Sequence, residues 1–90
     1  MLIIQNDVGN RFSPTVIVAA ISSKLPLKPY PTEVRVEAGS GGLTVESAIR
    51  LDQIRTVDKT RLERHIGQLD AATMRQVDEA IKISLGLEPI

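Results

Sequence analysis

The run Thr15-Val-Ile-Val-Ala-Ala-Ile-Ser-Ser23 leaves the chain little freedom. It is rich in β-branched residues and apolar at odd and even positions alike. Side chains alternate across a strand, so a strand apolar on both sides needs cover on both sides. This run therefore predicts a central β-strand. Leu2-Ile-Ile-Gln5 is too short for a helix and reads as a second buried strand, already under way at the first residue. Thr32 to Val36 alternates and reads as a half-buried strand. Glu46 to Val57 is open to a helix or a strand reading, and strand is favoured. Ile49 and Leu51, then Ile54 and Val57, do not keep one period, and a bulge near Gln53 reconciles them.

Turn chemistry fills the gaps. Asn6 to Pro14 is dense in Asn, Asp, Gly, Ser and Pro and is expected to be a loop. Pro26, Pro29 and Pro31 exclude regular helix or central strand over 24–31. Ala38 to Gly42 is a turn, and Leu62 to Leu69 reads as a short turn and edge strand. One helix closes the chain. Asp70 is its N-cap, with Leu69 and Met74 at the staple positions around it. Met74, Val77, Ile81 and Leu85 form an apolar stripe, Gly86 stops the helix and Pro89 prevents continuation. The expected architecture is one domain over residues 1–90. It is mostly β (α+β), a small barrel-like sheet with a helix packed beside it.

Composition narrows the chemistry. The 90 residues contain no cysteine, which removes disulfides, thiolate nucleophiles and cysteine zinc sites. One histidine, His65, cannot make a multi-histidine metal site within one chain. Acidic and basic side chains cancel, which argues against indiscriminate coating of nucleic acid but leaves room for a local basic groove. No apolar run approaches the ~20 residues of a membrane helix, and no secretory leader is visible. The expected compartment is the cytoplasm. A chain this small buries only about 60–65% of its unfolded surface, so pairing with a second copy is a ready source of further burial.

The isolated motifs are mostly bland. Gly39 to Gly42 has no following Lys-Ser/Thr and reads as a turn rather than a phosphate loop. His65 on a polar segment reads as solvated, and Asp70, Asp78 and Glu79 as a cap and a solvated helix face. Two stretches carry more. Gln5, Asn6, Asn10, Arg11 and Phe12 gather hydrogen-bonding groups and one aromatic face beside a buried strand. Asp52-Gln-Ile-Arg-Thr56 interleaves polar groups through a sheet strand. Each is either a binding surface or an ordinary loop and exposed face.

Taken together, Leu2-Ile-Ile-Gln-Asn-Asp-Val-Gly-Asn-Arg-Phe-Ser-Pro-Thr15, Ile17-Val-Ala-Ala-Ile-Ser22, Leu51-Asp-Gln-Ile-Arg-Thr-Val-Asp58 and Val77-Asp-Glu-Ala-Ile-Lys-Ile-Ser-Leu85 resemble the MazF/PemK toxin family. The resemblance covers essentially the whole chain. It implies the SH3-like sheet-plus-helix fold of CcdB/MazF toxins, a homodimer, and a toxin held in check by an antitoxin. The implied activity is a sequence-specific, metal-independent cut in single-stranded RNA, with no cofactor. The family's catalytic hydroxyl, usually Thr, maps onto Ser22. Its partner Arg belongs to an Arg-Pro step before the Leu2–Gln5 strand, where this chain has no residue. An upstream start, a trimmed chain and a non-cutting relative all fit that difference, and the short chain is expected to be impaired.

The implied reaction is attack of a ribose 2′-OH on its neighbouring phosphate, which explains RNA over DNA. It needs proton transfer and stabilisation of phosphorane charge, and no metal. By the resemblance Ser22 contacts the scissile phosphate or relays a proton, while Arg55 positions RNA or braces the sheet. Gln5, Asn6, Gln53 and Thr56 are candidates for reading base edges. Asn10 and Arg11 belong to the same RNA-binding group. Phe12 either stacks a base or plugs its own loop. Alternative readings are a non-catalytic antitoxin-binding module and a gyrase-poisoning toxin of the same fold.

Overall fold

The computed structural model describes residues 1–89. Its sheet has four antiparallel strands: β1 (Leu2–Ile3), β2 (Thr15–Ser22), β3 (Glu33–Val36) and β4 (Ser47–Asp58), in the spatial order β1-β2-β4-β3. The sheet curls into a half-barrel. One long helix, α2 (Ala71–Ser84), packs on one face against β3 and β4. This is the sheet-plus-helix architecture expected from the strand pattern.

The central strand behaves as its sequence requires. Ala19 and Ile21 point toward α2 and join Val34, Val36, Ile49, Leu51, Val77 and Ala80 in the main core. Val16 and Val18 point the other way and form a second cluster with Val57. Both sets are buried because the curl covers the side that the helix does not.

The predicted bulge is present and large. Ala19 pairs with Ile54, whereas its neighbour Ala20 pairs with Arg50, so Leu51, Asp52 and Gln53 have no partner on β2. The Leu51 N–H donates instead to the Thr32 carbonyl at 2.9 Å, and the Leu51 carbonyl accepts from Ser84 Oγ at 2.6 Å. Both backbone groups of a buried residue thus find partners outside the ladder.

Four local expectations are corrected. The 6–14 segment is not a plain loop. It contains a short helix, α1 (Asp7–Phe12), because the Asn6 side chain accepts from the Gly9 N–H at 2.9 Å. Residues that favour turns also favour N-caps, and here the cap prevails. The first strand stops at Ile3, with one further bond from the Ile4 N–H to the Ile17 carbonyl at 3.0 Å. Residues 62–69 form no strand. They follow a 3-10 turn at Lys59–Arg61 and press backbone to backbone against the Ser40–Gly42 turn. Leu85 leaves the helix stripe, is 61% exposed and serves as the C-cap, while Ala80 takes its place in the core. Gly86, at φ +75°, then closes the helix: its N–H donates to Ile83 and that of Leu87 to Lys82, the paired bonds of a Schellman ending.

At the other end, Asp70 Oδ1 accepts from the Thr73 N–H at 2.7 Å, and this bond holds its carboxyl below the usual range. A lowered folded-state pKa contributes stability above the unfolded value of about 4, and the contribution is lost as pH falls through the folded one. Urea titrations of the wild type and Asp70→Asn, whose amide caps without a charge, should show a stability difference that shrinks between pH 6 and pH 3. A constant difference would mean that the carboxylate is not linked to folding. At Gly42, φ is +82° and an added Cβ would lie 2.1 Å from the Ile66 carbonyl oxygen. Gly42→Ala should cost at least about 1–3 kcal/mol in the same titration.

Candidate functional site

The face of the sheet opposite α2 carries the polar groups. Strand alternation places Val16, Val18, Ala20 and Ser22 of β2 on this face, beside Ala48, Arg50, Arg55 and Val57 of β4 and Glu33 and Arg35 of β3. The bulge makes this possible. It resets the side-chain phase of β4, so that Arg50 before it and Arg55 after it share one face.

Ser22 ends β2, half-buried, opposite Ala48. Its Oγ accepts from the Lys24 N–H at 3.1 Å. That bond uses a lone pair and leaves the hydroxyl proton free to donate. A neutral alcohol so placed can hydrogen-bond an anionic oxygen but supplies no charge.

Two clefts open near the strand. The first, about 310 Å³, is lined by Met1, Ala20, Gln53, Ile54 and Arg55. Arg55 extends along its wall, with Nη2 at 3.5 Å from Met1 Sδ. The second, about 400 Å³, is lined by Lys24, Leu25, Pro26, Tyr30 and Arg50. Ser22 lines neither, but lies two residues along the chain from Ala20 of the first and two from Lys24 of the second.

The structure separates the remaining candidates. Gln53 and Arg55 share the first cleft. Arg55 pairs with Val18, four residues from Ser22, or about 13 Å along an extended strand. Thr56 pairs with Ile17 and faces the helix side. Gln5, Asn6, Asn10, Arg11 and Phe12 gather at the opposite end of β2. There Gln5 Nε2 donates to the Thr15 carbonyl at 3.2 Å and Asn10 Nδ2 to the Gln5 carbonyl at 3.1 Å. Asn6 is committed to its cap. Phe12 is not a plug: its ring is 73% exposed, with the Arg11 guanidinium 5.2 Å from its centroid. Among the described residues no cluster of His, Cys, Asp and Glu could hold a metal, and no helix is long and apolar enough to cross a membrane.

Three charged residues escaped the sequence reading. The Glu33 side chain is fully buried. It accepts from Arg35 Nε at 3.3 Å and lies 3.8 Å from Arg50 Nε, which also faces Asp52 at 3.4 Å. Arg35 Nη2 in turn donates to the Pro26 carbonyl. Arg35 thereby ties the proline loop to the buried carboxylate, while Arg50 lies at ion-pair distance from Glu33 and hydrogen-bonds Asp52 instead. The signal was the alternation Glu33, Arg35 on a half-buried strand, which reads as a solvated face until the partner strand is known. Glu33→Ala removes the carboxylate that both guanidiniums face, leaving Arg35 with Pro26 and Arg50 with Asp52, and should cost about 1–3 kcal/mol in chemical denaturation. A loss below about 0.5 kcal/mol would show that the network is incidental.

Comparisons with known proteins agree on the whole chain. A family model described as the PemK-like, MazF-like toxin of type II toxin–antitoxin systems matches residues 1–85. Endoribonuclease EndoA of Bacillus subtilis is 52% identical over 87 residues, covering 97% of this chain and 75% of that protein. Endoribonuclease MazF of Staphylococcus saprophyticus is 48% identical over 90 residues, covering all of this chain and 75% of that one. Among solved structures, the Mycobacterium tuberculosis toxin MazF-mt6 superposes with a TM-score of 0.86 at 30% identity, over 98% of this chain and 86% of that one. A mycobacterial endoribonuclease in complex with its cognate antitoxin gives 0.84 at 28% identity, over 99% and 82%.

Proposed function

The chain belongs to the PemK-like, MazF-like toxin family of type II toxin–antitoxin systems, and from that membership we propose that it is an endoribonuclease toxin whose working hydroxyl is Ser22. Its relatives at 52% and 48% identity are named endoribonucleases, which supports the activity. The observation that carries the assignment to Ser22 is its geometry. It is a strand-end alcohol with its acceptor side occupied by the Lys24 N–H and its proton free, near two clefts that each carry a guanidinium.

The substrate is single-stranded RNA, whose unstacked bases enter clefts that a duplex cannot. The 2′-oxygen attacks the adjacent phosphorus, its proton leaves to a base, and the bond to the 5′-oxygen breaks as that oxygen takes up a proton. A 2′,3′-cyclic phosphate and a 5′-hydroxyl end result. Ser22 donates its hydrogen bond to a non-bridging oxygen as charge develops there. Arg55 and Gln53 hold the strand in the first cleft, and the Gln53 amide reads a base edge. Gln5, Asn6 and Asn10 support the α1 corner, where Arg11 and Phe12 offer a second, outlying contact for the RNA. The reaction proceeds without metal and is confined to a short target motif. The protein acts in the cytoplasm as a homodimer restrained by a cognate antitoxin. A structural neighbour solved with its own antitoxin supports that last element.

Ser22→Ala should lower kcat for a target-containing RNA by roughly 100-fold, the cost of removing one transition-state donor, with KM little changed. Cleavage should persist in EDTA. Activity that returns only with a divalent cation, or that survives Ser22→Ala intact, would overturn this mechanism.

A further inference from the structure

We propose that the cleft bounded by Lys24, Tyr30 and Arg50 is a nucleotide subsite for the RNA strand, in which Lys24 and Arg50 take a phosphate and Tyr30 stacks the attached base. The inference rests on the endoribonuclease reading and adds to it a place and a chemistry for the nucleotide that flanks the scissile step.

Position is the first argument. Arg50 pairs with Ala20, so it is the diagonal neighbour of Ser22 on the same face. Such neighbours lie about 7–8 Å apart, within reach of a long side chain. Arg50 is thus nearer to Ser22 along the sheet than Arg55. Lys24 lies two residues beyond Ser22, and its backbone N–H is tied to the Ser22 hydroxyl through the 3.1 Å hydrogen bond. A strand whose phosphate meets Ser22 therefore passes this cleft next.

Charge and shape are the second. Arg35 and Arg50 pair with Glu33 and Asp52, and Lys24 adds a positive charge outside that network. Lys24 and Arg50 are the charged residues that line the opening; the Glu33 side chain near Arg50 is buried, and Asp52 lies 3.4 Å from Arg50 Nε. Tyr30, 57% exposed, is one of two aromatic residues in the chain. Its backbone is fixed by the bond from the Glu33 N–H to the Tyr30 carbonyl at 3.0 Å. With Pro26 held by Arg35, the loop is anchored at two points. The cleft is shallow and open, and its volume of about 400 Å³ lets a nucleotide lie across it. A cation pair beside an exposed ring is the chemistry of single-strand recognition, in which phosphate contacts give affinity and stacking tolerates any base.

The test uses the full chain with two RNAs of one target sequence: an all-ribose form for cleavage, and a form with a 2′-deoxy cut site for binding by fluorescence anisotropy. Arg50→Met and Tyr30→Ala should each raise KM and Kd at least tenfold while kcat stays within threefold. Arg50→Lys should recover most of the loss. Arg50→Met should also flatten the salt dependence of log Kd by roughly 0.7, the value for one phosphate on a single strand. An abasic residue at the flanking position should weaken wild-type binding as Tyr30→Ala does, and leave Tyr30→Ala indifferent. Ser22→Ala should move kcat instead. If the wild type cleaves and both cleft variants stay within twofold of it, the subsite is refuted and the endoribonuclease reading stands. If Arg50→Met alters binding of an antitoxin peptide but not of RNA, the subsite is likewise refuted. Should the wild type neither bind nor cleave RNA, the endoribonuclease reading fails, and the subsite with it.

Discussion

The three-residue bulge in β4 is the constraint on which the rest of the molecule depends. Without it, a twelve-residue strand would keep one phase, and Arg50 and Arg55 would lie on opposite faces. With it, Leu51 keeps the core face it shares with Ile49, and both arginines face the cleft side. The insertion would be costly if the backbone of Leu51 were left unpaired in an apolar interior. Thr32 and Ser84 remove that cost by supplying an acceptor and a donor. The end of α2 is therefore coupled to the irregularity that shapes the candidate site.

A second organising element is the buried carboxylate of Glu33. Burial of a lone charge is unfavourable, so Glu33 persists only because two guanidiniums meet it. Each of those has another task. Arg35 holds the loop that carries Pro26, and Arg50 forms the floor of the cleft. Desolvation at Glu33 is thus converted into order at an exposed surface, where an unrestrained arginine would sample many rotamers. Ser22 gains from the same arrangement, since the Lys24 N–H that orients its hydroxyl lies at the start of the anchored loop.

The strand-and-helix plan was legible because it rests on local patterns. A two-faced apolar run such as Thr15–Ser22 has few alternatives to a central strand, and Asp70 with the Met74, Val77, Ile81 stripe leaves little alternative to a helix. The bulge was legible for a related reason: Ile54 and Val57 break the phase set by Ile49 and Leu51. The failures lay where one residue type serves two structures. Asn6 is equally at home in a turn and at an N-cap, and one hydrogen bond to Gly9 decided the matter. Residues 62–69 carry only Ile66 as a β-branched residue, and their neighbour in space is the Gly41–Gly42 turn, which offers no ladder to join.

The amino-acid sequence by itself determined the longer strands, the closing helix and their order, since these follow from spacing along the chain, and the resemblance of its motif blocks pointed to the family and to Ser22. It placed Gln53 and Arg55 on one strand but could not separate Thr56 from them. Only the tertiary structure decided which polar residues share a face, because that depends on strand register and on the phase shift at Leu51–Gln53. It moved Asn6, Asn10 and Phe12 to the far end of β2, and it brought Lys24 and Tyr30 of the proline loop together with Arg50 of β4. Charges distant in sequence become one surface only when long-range pairing and the burial of Glu33 fix them there.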